Sequence, residues 1–318
     1  MHAYRTNKQV NHRRSVSISL TASRMAIDRS STHIASPLLL QVREAEALYG
    51  VGSASYTGFE YYSDEDHWHN FIDMENVRDG WVRGIAAQHF VKSAVVLGGG
   101  CKHMTVMESR ASRWVGMISG SRRFAFQNSG SLNLFHDCHS DQGRHSFVMG
   151  GGGVGPNVFL DCEATRPYGS SEPHGSLIVG TLYDNVKAPL AFRFARSAGG
   201  GRWMGFNSFA WNCEGLFLVQ QTNDENQAAQ QPQPPAGTNY SIGHLGLHAM
   251  PFNLDLVSHH FHDGVIDSLD VHVDPPSLYK AQLAVRQGRP VQTSSSSGGA
   301  AEPLAPFERM DPLTFARL

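Results

Sequence analysis

The sequence predicts an all-β chain that forms one single-stranded, right-handed parallel β-helix, a solenoid, and three observations support this class. Short segments with similar endings recur at intervals close to one coil of a solenoid. Within each segment apolar and polar residues alternate, as they do in a half-buried strand. Glycine accounts for 32 of the 318 residues and only 17% of the chain is charged, which favours strands and tight turns over helices.

The repeat is clearest in three segments that end in cysteine. Residues 132–138 read LNLFHDC, residues 156–162 read PNVFLDC, and residues 207–213 read NSFAWNC. Degenerate copies are TLYDN at 181–185, VMES at 106–109 and DMEN at 73–76. Together these segments predict six coils, each stacked on the one before it. A leucine-rich repeat would need a regular Leu ladder, and a propeller would need a longer period.

In a parallel β-helix, equivalent residues of neighbouring coils stack. We therefore expect Phe135 and Phe159 to stack in the core, and Cys138 and Cys162 to stack at a corner of the coil. A disulfide between the two coils is one interpretation. The other is a ladder of small turn residues, which Asn185 favours because we place it at the equivalent position. No C-x-x-C pair is present, and we assign no catalytic role to a cysteine.

Composition divides the chain into three parts. Residues 1–55 are expected to be a poorly ordered or atypical leader, whose basic, acid-free start weakly resembles an organelle transit peptide. Residues 56–288 form the β-helix domain, with a polar Pro/Gln-rich loop at 223–238. A short helix at 277–287, with Ser277 as its N-cap, is expected to cover the open end of the solenoid. Residues 289–318 are expected to be a flexible tail.

Charge and hydropathy exclude two classes of partner. The formal net charge is −2, so no broad basic face for nucleic acid is expected. No run of 18 apolar residues is present, so we expect no membrane span. We expect the protein to be a monomer.

Six stretches occur in a fixed order between about residues 60 and 288. They read DHWHNFIDMENVRDGWVRGIAAQHF, GSRRFAFQNSGSLNLFHDCHSDQGRHSFVMGG, GPNVFLDCEATRPYG, TLYDNV, WNCEG and SLYKAQL. These stretches resemble the blocks of a family of secreted bacterial β-helix proteins in the pectin-lyase superfamily. The resemblance implies an extracellular location, although no clear signal peptide is present. It also implies a polysaccharide partner, since the superfamily includes polysaccharide lyases and glycoside hydrolases.

Polar residues that do not fit the solenoid pattern are the candidates for catalysis. Arg144 and His145 follow the Arg122–Arg123 pair after nearly one coil, and His174 follows 29 residues later. Spacing of this kind places the side chains on one flank, where a sugar chain would lie. The candidate catalytic residues are Arg122, Arg123, Arg144, His145, His174 and Tyr183.

Cleavage of a uronate polymer by β-elimination needs a cation for the sugar carboxylate, a base for the C5 proton and an acid for the leaving oxygen. We assign Arg122 or Arg123 as the carboxylate clamp, His145 as the base and Tyr183 as the acid. The candidate substrate-binding residues are Trp68, His69, Asp184 and Trp203. Trp81 and Trp114 are two further tryptophans that either stack on sugar rings or belong to the core. Calcium is a candidate cofactor.

Two departures from the family pattern favour a noncatalytic glycan-binding or structural β-helix as the alternative. Ser146 stands where the relatives carry an acidic residue, and Gly175, Ser176 and Leu177 replace a second His, an Arg and a Trp.

Hydrolysis is a second alternative, which needs two carboxylates. Asp137 and Asp161 occupy matching coil positions, where a structural ladder is the other interpretation. Asp141 and Glu163 are weaker candidates. We assign no metal-binding residue. The HHFHD segment at 259–263 offers at most two ligands from one face of a strand, unless Asp263 bends back.

Overall fold

The computed structural model describes residues 62–175, 177–193, 205–221, 237–248 and 262–294, together with the backbone of three short strands before them. The chain forms a right-handed parallel β-solenoid of about seven turns with one short helix near the C-terminus, which confirms the predicted fold class. No described helix is long and apolar enough to cross a membrane.

The strands stack into parallel sheets along the solenoid, and each sheet takes one strand from each coil. Sheet I contains, in spatial order, β1 (Ile18–Thr21), β5 (Asn70–Glu75), β8 (Ser93–Leu97), β10 (Phe126–Asn128), β12 (Phe147–Met149) and β15 (Glu172–Pro173). A bridge between Ser171 and Leu190 continues this face into sheet III. Sheet III contains β17 (Leu190–Phe192), β19 (Phe217–Gln221) and the antiparallel β21 (His262–Asp263).

Sheet II is the longest sheet. Its strands are β2 (Ala45–Glu46), β7 (Ala86–Gln88), β9 (Lys102–Ser112), β11 (Leu134–Asp141), β13 (Val154–Leu160), β16 (Val179–Asp184), β18 (Phe209–Trp211), β20 (Tyr240–Ile242) and β22 (Val265–Asp267), with β6 (Arg78–Arg83) and β14 (Glu163–Thr165) paired alongside. A separate antiparallel pair joins β3 (Ser55–Tyr56) and β4 (Tyr62–Ser63). Parallel strands of this kind are stable because each coil pairs with its neighbours on both sides.

Each coil bends within sheet II at one residue with a left-handed backbone. Asp137, Asp161, Asn185 and Asn212 have φ values of 52°, 51°, 54° and 49°. Asp and Asn tolerate this conformation better than most residues because their short polar side chains form local hydrogen bonds. Asn185 Nδ2, for example, donates to Asp161 Oδ1 at 3.2 Å. The bend is therefore a ladder of turn residues.

The cysteines follow these bends by one residue and point inward. Cys138, Cys162 and Cys213 are buried and free, and their thiols contact backbone carbonyls of the neighbouring coil. The disulfide interpretation is thus wrong, and the turn ladder consists of the Asp and Asn residues that precede the cysteines. The predicted alignment of Asn185 with Cys138 and Cys162 was wrong by one residue. Asn185 belongs to the bend, and Val186 occupies the position of the cysteines.

The number of coils is larger than the six predicted, because β20 and β22 continue sheet II beyond the last predicted segment at 207–213. One of the six segments was also aligned with the wrong sheet. In DMEN, Asp73 and Met74 pair with Val96 and Leu97 in sheet I, not with VMES in sheet II. The segment in register with VMES ends at Ile85, after the left-handed Gly84.

The core is a column of aromatic rings along the solenoid. Phe135 stacks on Phe159 with ring centroids 5.0 Å apart, as predicted, and Phe159 stacks on Tyr183 at 5.0 Å. Phe126 and Phe147 form a parallel column from sheet I. All of these side chains are fully buried, so the column supplies much of the apolar area that stabilises the fold.

The predicted helix is confirmed as α1 (Leu278–Arg286), with Ser277 accepting a hydrogen bond from Lys280 N. The hydrogen bonds at the start of α1 are made to side chains of sheet II, on the side of the solenoid. Ser277 Oγ and Tyr279 N donate to Asp184 Oδ2 at 2.8 and 2.7 Å, and Lys280 Nζ donates to Asp161 Oδ2. These contacts attach α1 beside β13 and β16, coils that precede the last one. The predicted leader, the loop at 223–238 and the tail lie mostly outside the described residues.

Replacement of Phe159 by Ala is expected to lower the free energy of unfolding by about 3–5 kcal/mol, because it opens a cavity in the aromatic column. Chemical denaturation followed by circular dichroism measures this loss. Leu247 is 72% exposed, so Leu247→Ala is the matched control and should change stability by less than about 0.5 kcal/mol. A Phe159→Ala protein as stable as the control would contradict the packing described here.

His244 predicts a pH dependence of stability. It is fully buried against Phe217, with Nε2 3.1 Å from the Gly215 carbonyl oxygen, and burial lowers its pKa to about 4. Since the unfolded chain protonates this histidine near pH 6.5, the stability that it contributes is complete above that pH and falls as the pH drops towards 4. The loss reaches roughly 3 kcal/mol.

The measurement is the free energy of unfolding between pH 7.5 and pH 4 for the wild type and for His244→Asn. We expect the wild-type advantage over the variant to shrink across this interval. A difference that stays constant with pH would show that His244 titrates normally in the folded protein.

Candidate functional site

Glu172 and His174 lie on the outer surface of sheet I. In β12, Phe147 and Met149 point into the core, and Val148 between them pairs with Glu172 of β15. Alternate residues of a strand point to the same side, so Glu172 and His174 project outward together. Glu172 is nevertheless only 4% exposed, because neighbouring side chains cover it.

Glu172 and His174 form a hydrogen-bonded dyad. His174 Nδ1 donates to Glu172 Oε1 at 2.6 Å, and Ser170 Oγ donates to Glu172 Oε2 at 2.7 Å. The carboxylate is therefore held by both oxygens. With its proton on Nδ1, the His174 ring presents an unprotonated Nε2, and 36% of the side chain is exposed.

His145 comes from the preceding coil and lies against His174, with ring centroids 4.8 Å apart. Its Nδ1 donates to the Ser170 carbonyl oxygen at 2.6 Å and lies 3.7 Å from Glu172 Oε1. Phe124 packs edge-on against both imidazoles. Burial lowers the pKa of His145 to about 4, although Glu172 opposes this shift, so His145 is neutral at neutral pH.

Two arginines border this group. The Ser171–Leu190 bridge places Arg193 beside His174 on the next coil, where its Nε lies 3.9 Å from Glu172 Oε2. Arg144 donates from Nη1 to the Gly120 carbonyl oxygen, and its guanidinium lies over the Phe124 ring. Among the described residues, the buried Nε atoms of Arg144 and Arg193 have no hydrogen-bond acceptor.

The electrostatics of the group keep Glu172 ionised. Burial alone would raise the pKa of Glu172, but His145, Arg193 and His174 together hold it well below its usual value. Burial lowers the pKa of Arg144, and the charge of Glu172 opposes that shift. We call His145, Glu172 and His174 the His–Glu cluster. Within the described part of the chain, it is the one group of His, Cys, Asp and Glu side chains close enough to share an ion, with all ligand atoms within 4.8 Å.

The structure brings Arg144, His145 and His174 together, as the sequence predicted, but it uses Arg122 and Arg123 differently. Arg122 forms an ion pair with Glu65 at 2.7 Å. Arg123 is buried, with Nε donating to the Gly116 carbonyl oxygen and the guanidinium over the Tyr168 ring. Both arginines therefore hold loops, and we remove them from the carboxylate clamp.

Tyr183 and Asp184 do not lie on this flank. Tyr183 is part of the aromatic column, its hydroxyl donates to the Phe147 carbonyl oxygen at 3.1 Å, and burial raises its pKa well above the usual value. A substrate outside the solenoid has no access to it, so we correct its assignment as the acid. Asp184 is buried where it holds the start of α1, which corrects its assignment to substrate binding.

The remaining predicted binding residues lie away from the His–Glu cluster or outside the described chain. Trp68 and His69 are exposed near Glu65. Trp114 is buried and donates from Nε1 to the Asp141 carbonyl oxygen. Trp203 lies outside the described residues.

The carboxylates considered for hydrolysis have structural partners. Asp137 and Asp161 are bend residues of successive coils, and Asp161 accepts from Lys280 and Asn185. Asp141 is paired with Arg166. Glu163 is exposed on the short strand β14.

The HHFHD segment is only partly described. His262 and Asp263 are exposed in β21, with Asp263 near His248, while residues 259–261 lie outside the described residues.

Sequence reasoning missed Glu172 and Arg193. A usable signal for Glu172 was present, because the E-P-H run at 172–174 places an acid and a histidine on one side of a strand, 27 residues after His145. Arg193 gave no comparable signal, since its place beside His174 depends on the coil register.

A second concave surface lies between α1 and sheet II. It is a groove of about 430 Å³ with mostly apolar walls. Phe209 stacks on Tyr240 of the next coil at 4.2 Å with the rings nearly parallel, and Phe209 lines the groove. The other lining residues include Leu134, Val158, Leu182, Tyr279 and Leu283.

Comparison of the chain with protein-family models, with curated proteins and with solved structures finds no match in any of the three. The fold and the site therefore define the class: a parallel β-solenoid with a partly buried His–Glu cluster and two arginines on one outer surface.

Proposed function

We propose that the protein is a carbohydrate-active, pectin-lyase-like β-helix that cleaves an acidic polysaccharide by β-elimination. The observation that carries this proposal is the Glu172–His174 dyad, with its 2.6 Å hydrogen bond, beside Arg144 and Arg193. A base for the C5 proton and a cation for the sugar carboxylate are two of the three groups that elimination requires.

His174 is the base in this proposal, in place of His145. Its Nε2 accepts the C5 proton of the uronate, and Glu172 is a positioning residue that holds the ring through Nδ1. The resulting imidazolium is stabilised by the ionised carboxylate of Glu172. His145 is buried and neutral, so it supports the ring of His174 by packing.

The arginines bind the carboxylate of the sugar. The Arg193 side chain is 37% exposed with its Nε 3.9 Å from Glu172 Oε2, and the charge of Glu172 also acts on Arg144. A carboxylate bound by these donors becomes a better electron acceptor, so the neighbouring C5 proton is lost more easily. Since Tyr183 is in the core, water supplies the proton for the leaving oxygen. The polymer lies along the outer surface of sheet I, and an extracellular location is part of the proposal.

The test is a time course of product absorbance at about 235 nm, where the unsaturated sugar absorbs, on a panel of uronate polymers. We expect His174→Ala to lower the rate by at least about 100-fold and Glu172→Gln by about 10-fold, because the first removes the base and the second weakens its orientation. The matched control is His103→Ala. His103 is also exposed and bonded to a carboxylate, Asp79 at 3.0 Å, but in sheet II.

An unchanged rate in His174→Ala would refute its role as the base. If no polymer of the panel yields unsaturated product or new reducing ends, both elimination and hydrolysis are refuted. New reducing ends without the absorbance would favour hydrolysis.

The groove beside α1 supports a second candidate, noncatalytic glycan binding. Aromatic rings stack on the apolar faces of sugars, and Phe209, which is itself stacked on Tyr240, lines the groove. This function needs no base.

Phe209→Ala is expected to weaken glycan binding about five-fold in calorimetry, because it removes one stacking ring. His174→Ala is the control, since it lies on another face and should leave this affinity unchanged. Equal glycan affinities of the wild type, Phe209→Ala and His174→Ala would exclude the groove as the glycan site.

A further inference from the structure

The His–Glu cluster has the donor set of a transition-metal site. Two imidazoles and one carboxylate bind zinc-class cations in many proteins and leave one coordination position open. Calcium prefers a shell of six to eight oxygens, so two nitrogen donors favour a zinc-class ion over calcium.

We propose that His145, Glu172 and His174 bind one zinc-class divalent cation and that this ion inhibits the elimination reaction. The inhibitory part rests on the proposed function; the binding part does not.

Distances between the donor atoms support coordination through the Nδ1 atoms. His174 Nδ1 and His145 Nδ1 lie 2.6 and 3.7 Å from Glu172 Oε1. Ligand atoms about 2.0–2.1 Å from a tetrahedral zinc ion lie about 3.3 Å apart, between these two values. The ligand atoms of the three residues lie within 4.8 Å of one another, so side-chain rotations that shorten the longest of these distances form the site. The Ser170 carbonyl oxygen, 2.6 Å from His145 Nδ1, is in position to be a fourth ligand.

The surroundings hold the three ligands in place. Ser170 Oγ fixes Glu172 Oε2, which leaves Oε1 for the ion. Phe124 packs edge-on against both imidazoles at about 5 Å. Outer groups of this kind orient the ligands of metal sites. Arg193, 3.9 Å from Glu172 Oε2, repels a cation, so we expect binding to be reversible.

Inhibition follows from the position of one proton. Without the ion, His174 carries its proton on Nδ1, where it bonds to Glu172, and Nε2 is free to act as a base. An ion on Nδ1 of the neutral ring moves that proton to Nε2 by exchange with water, so no net proton is released from the imidazole. Nε2 then no longer accepts the C5 proton, and the base is lost.

The experiment titrates the full chain, first treated with a chelator, with Co²⁺ and then with Zn²⁺. We expect a visible Co²⁺ absorption band that saturates at one ion per chain and disappears on addition of Zn²⁺. Glu172→Gln and His174→Ala should weaken Co²⁺ binding at least about 10-fold, because the first removes the negative charge of one ligand and the second removes an imidazole ligand. His103→Ala should bind as the wild type does. Circular dichroism checks that each variant is folded. His174→Ala should disturb the fold less than Glu172→Gln, because the His174 side chain is 36% exposed whereas Glu172 is buried.

Absence of the band, or a band of equal strength in both ligand variants, would overturn the metal site. Inhibition is tested separately, by adding Zn²⁺ to the elimination assay. We expect its midpoint to match that of Zn²⁺ binding, and binding without inhibition would overturn the regulatory part. If the chelator-treated protein shows no elimination, the proposed function fails while the Co²⁺ band still decides the metal site.

Discussion

The register of the parallel hydrogen bonds between coils is the constraint on which the rest of the structure depends. Once Phe126 pairs with Phe147 and Val148 pairs with Glu172, the neighbours along these strands on both faces of sheet I follow. The same register that stacks Phe126 on Phe147 inside sheet I places Glu172 beside Val148 on its outer face, in the coil after His145. The core and the His–Glu cluster thus lie on the two faces of the same sheet. A shift of the strand register by one residue would disrupt both.

The inward positions were predictable because they repeat in chemistry as well as in spacing. Phe135 and Phe159 precede Cys138 and Cys162 by the same three residues, so the segments align without knowledge of the turns. Tyr183 occupies the next position of that column, since the strand register pairs it with Phe159. The residue type alone does not indicate this position. A tyrosine there is a core ring with a bonded hydroxyl, although its polarity suggests a flank.

The outer positions were less predictable because turns of unequal length connect the strands. Counting from Arg144 and His145 found His174, since the interval is close to one coil. The same count gave no reason to select Arg193, because a different turn precedes β17. Nor does residue type separate Arg122, which is ion-paired with Glu65, from Arg144, whose Nε has no acceptor among the described residues.

The attachment of α1 changes how the solenoid is expected to unfold. Solenoid contacts join nearest neighbours, so the ends of such a stack can fray one repeat at a time. The bond from Ser277 to Asp184 spans 93 residues and connects the segment after the last described coil to a coil in the middle. Coils between these two points cannot separate without breaking that bond. We therefore expect the C-terminal coils to unfold together once α1 detaches, rather than one at a time.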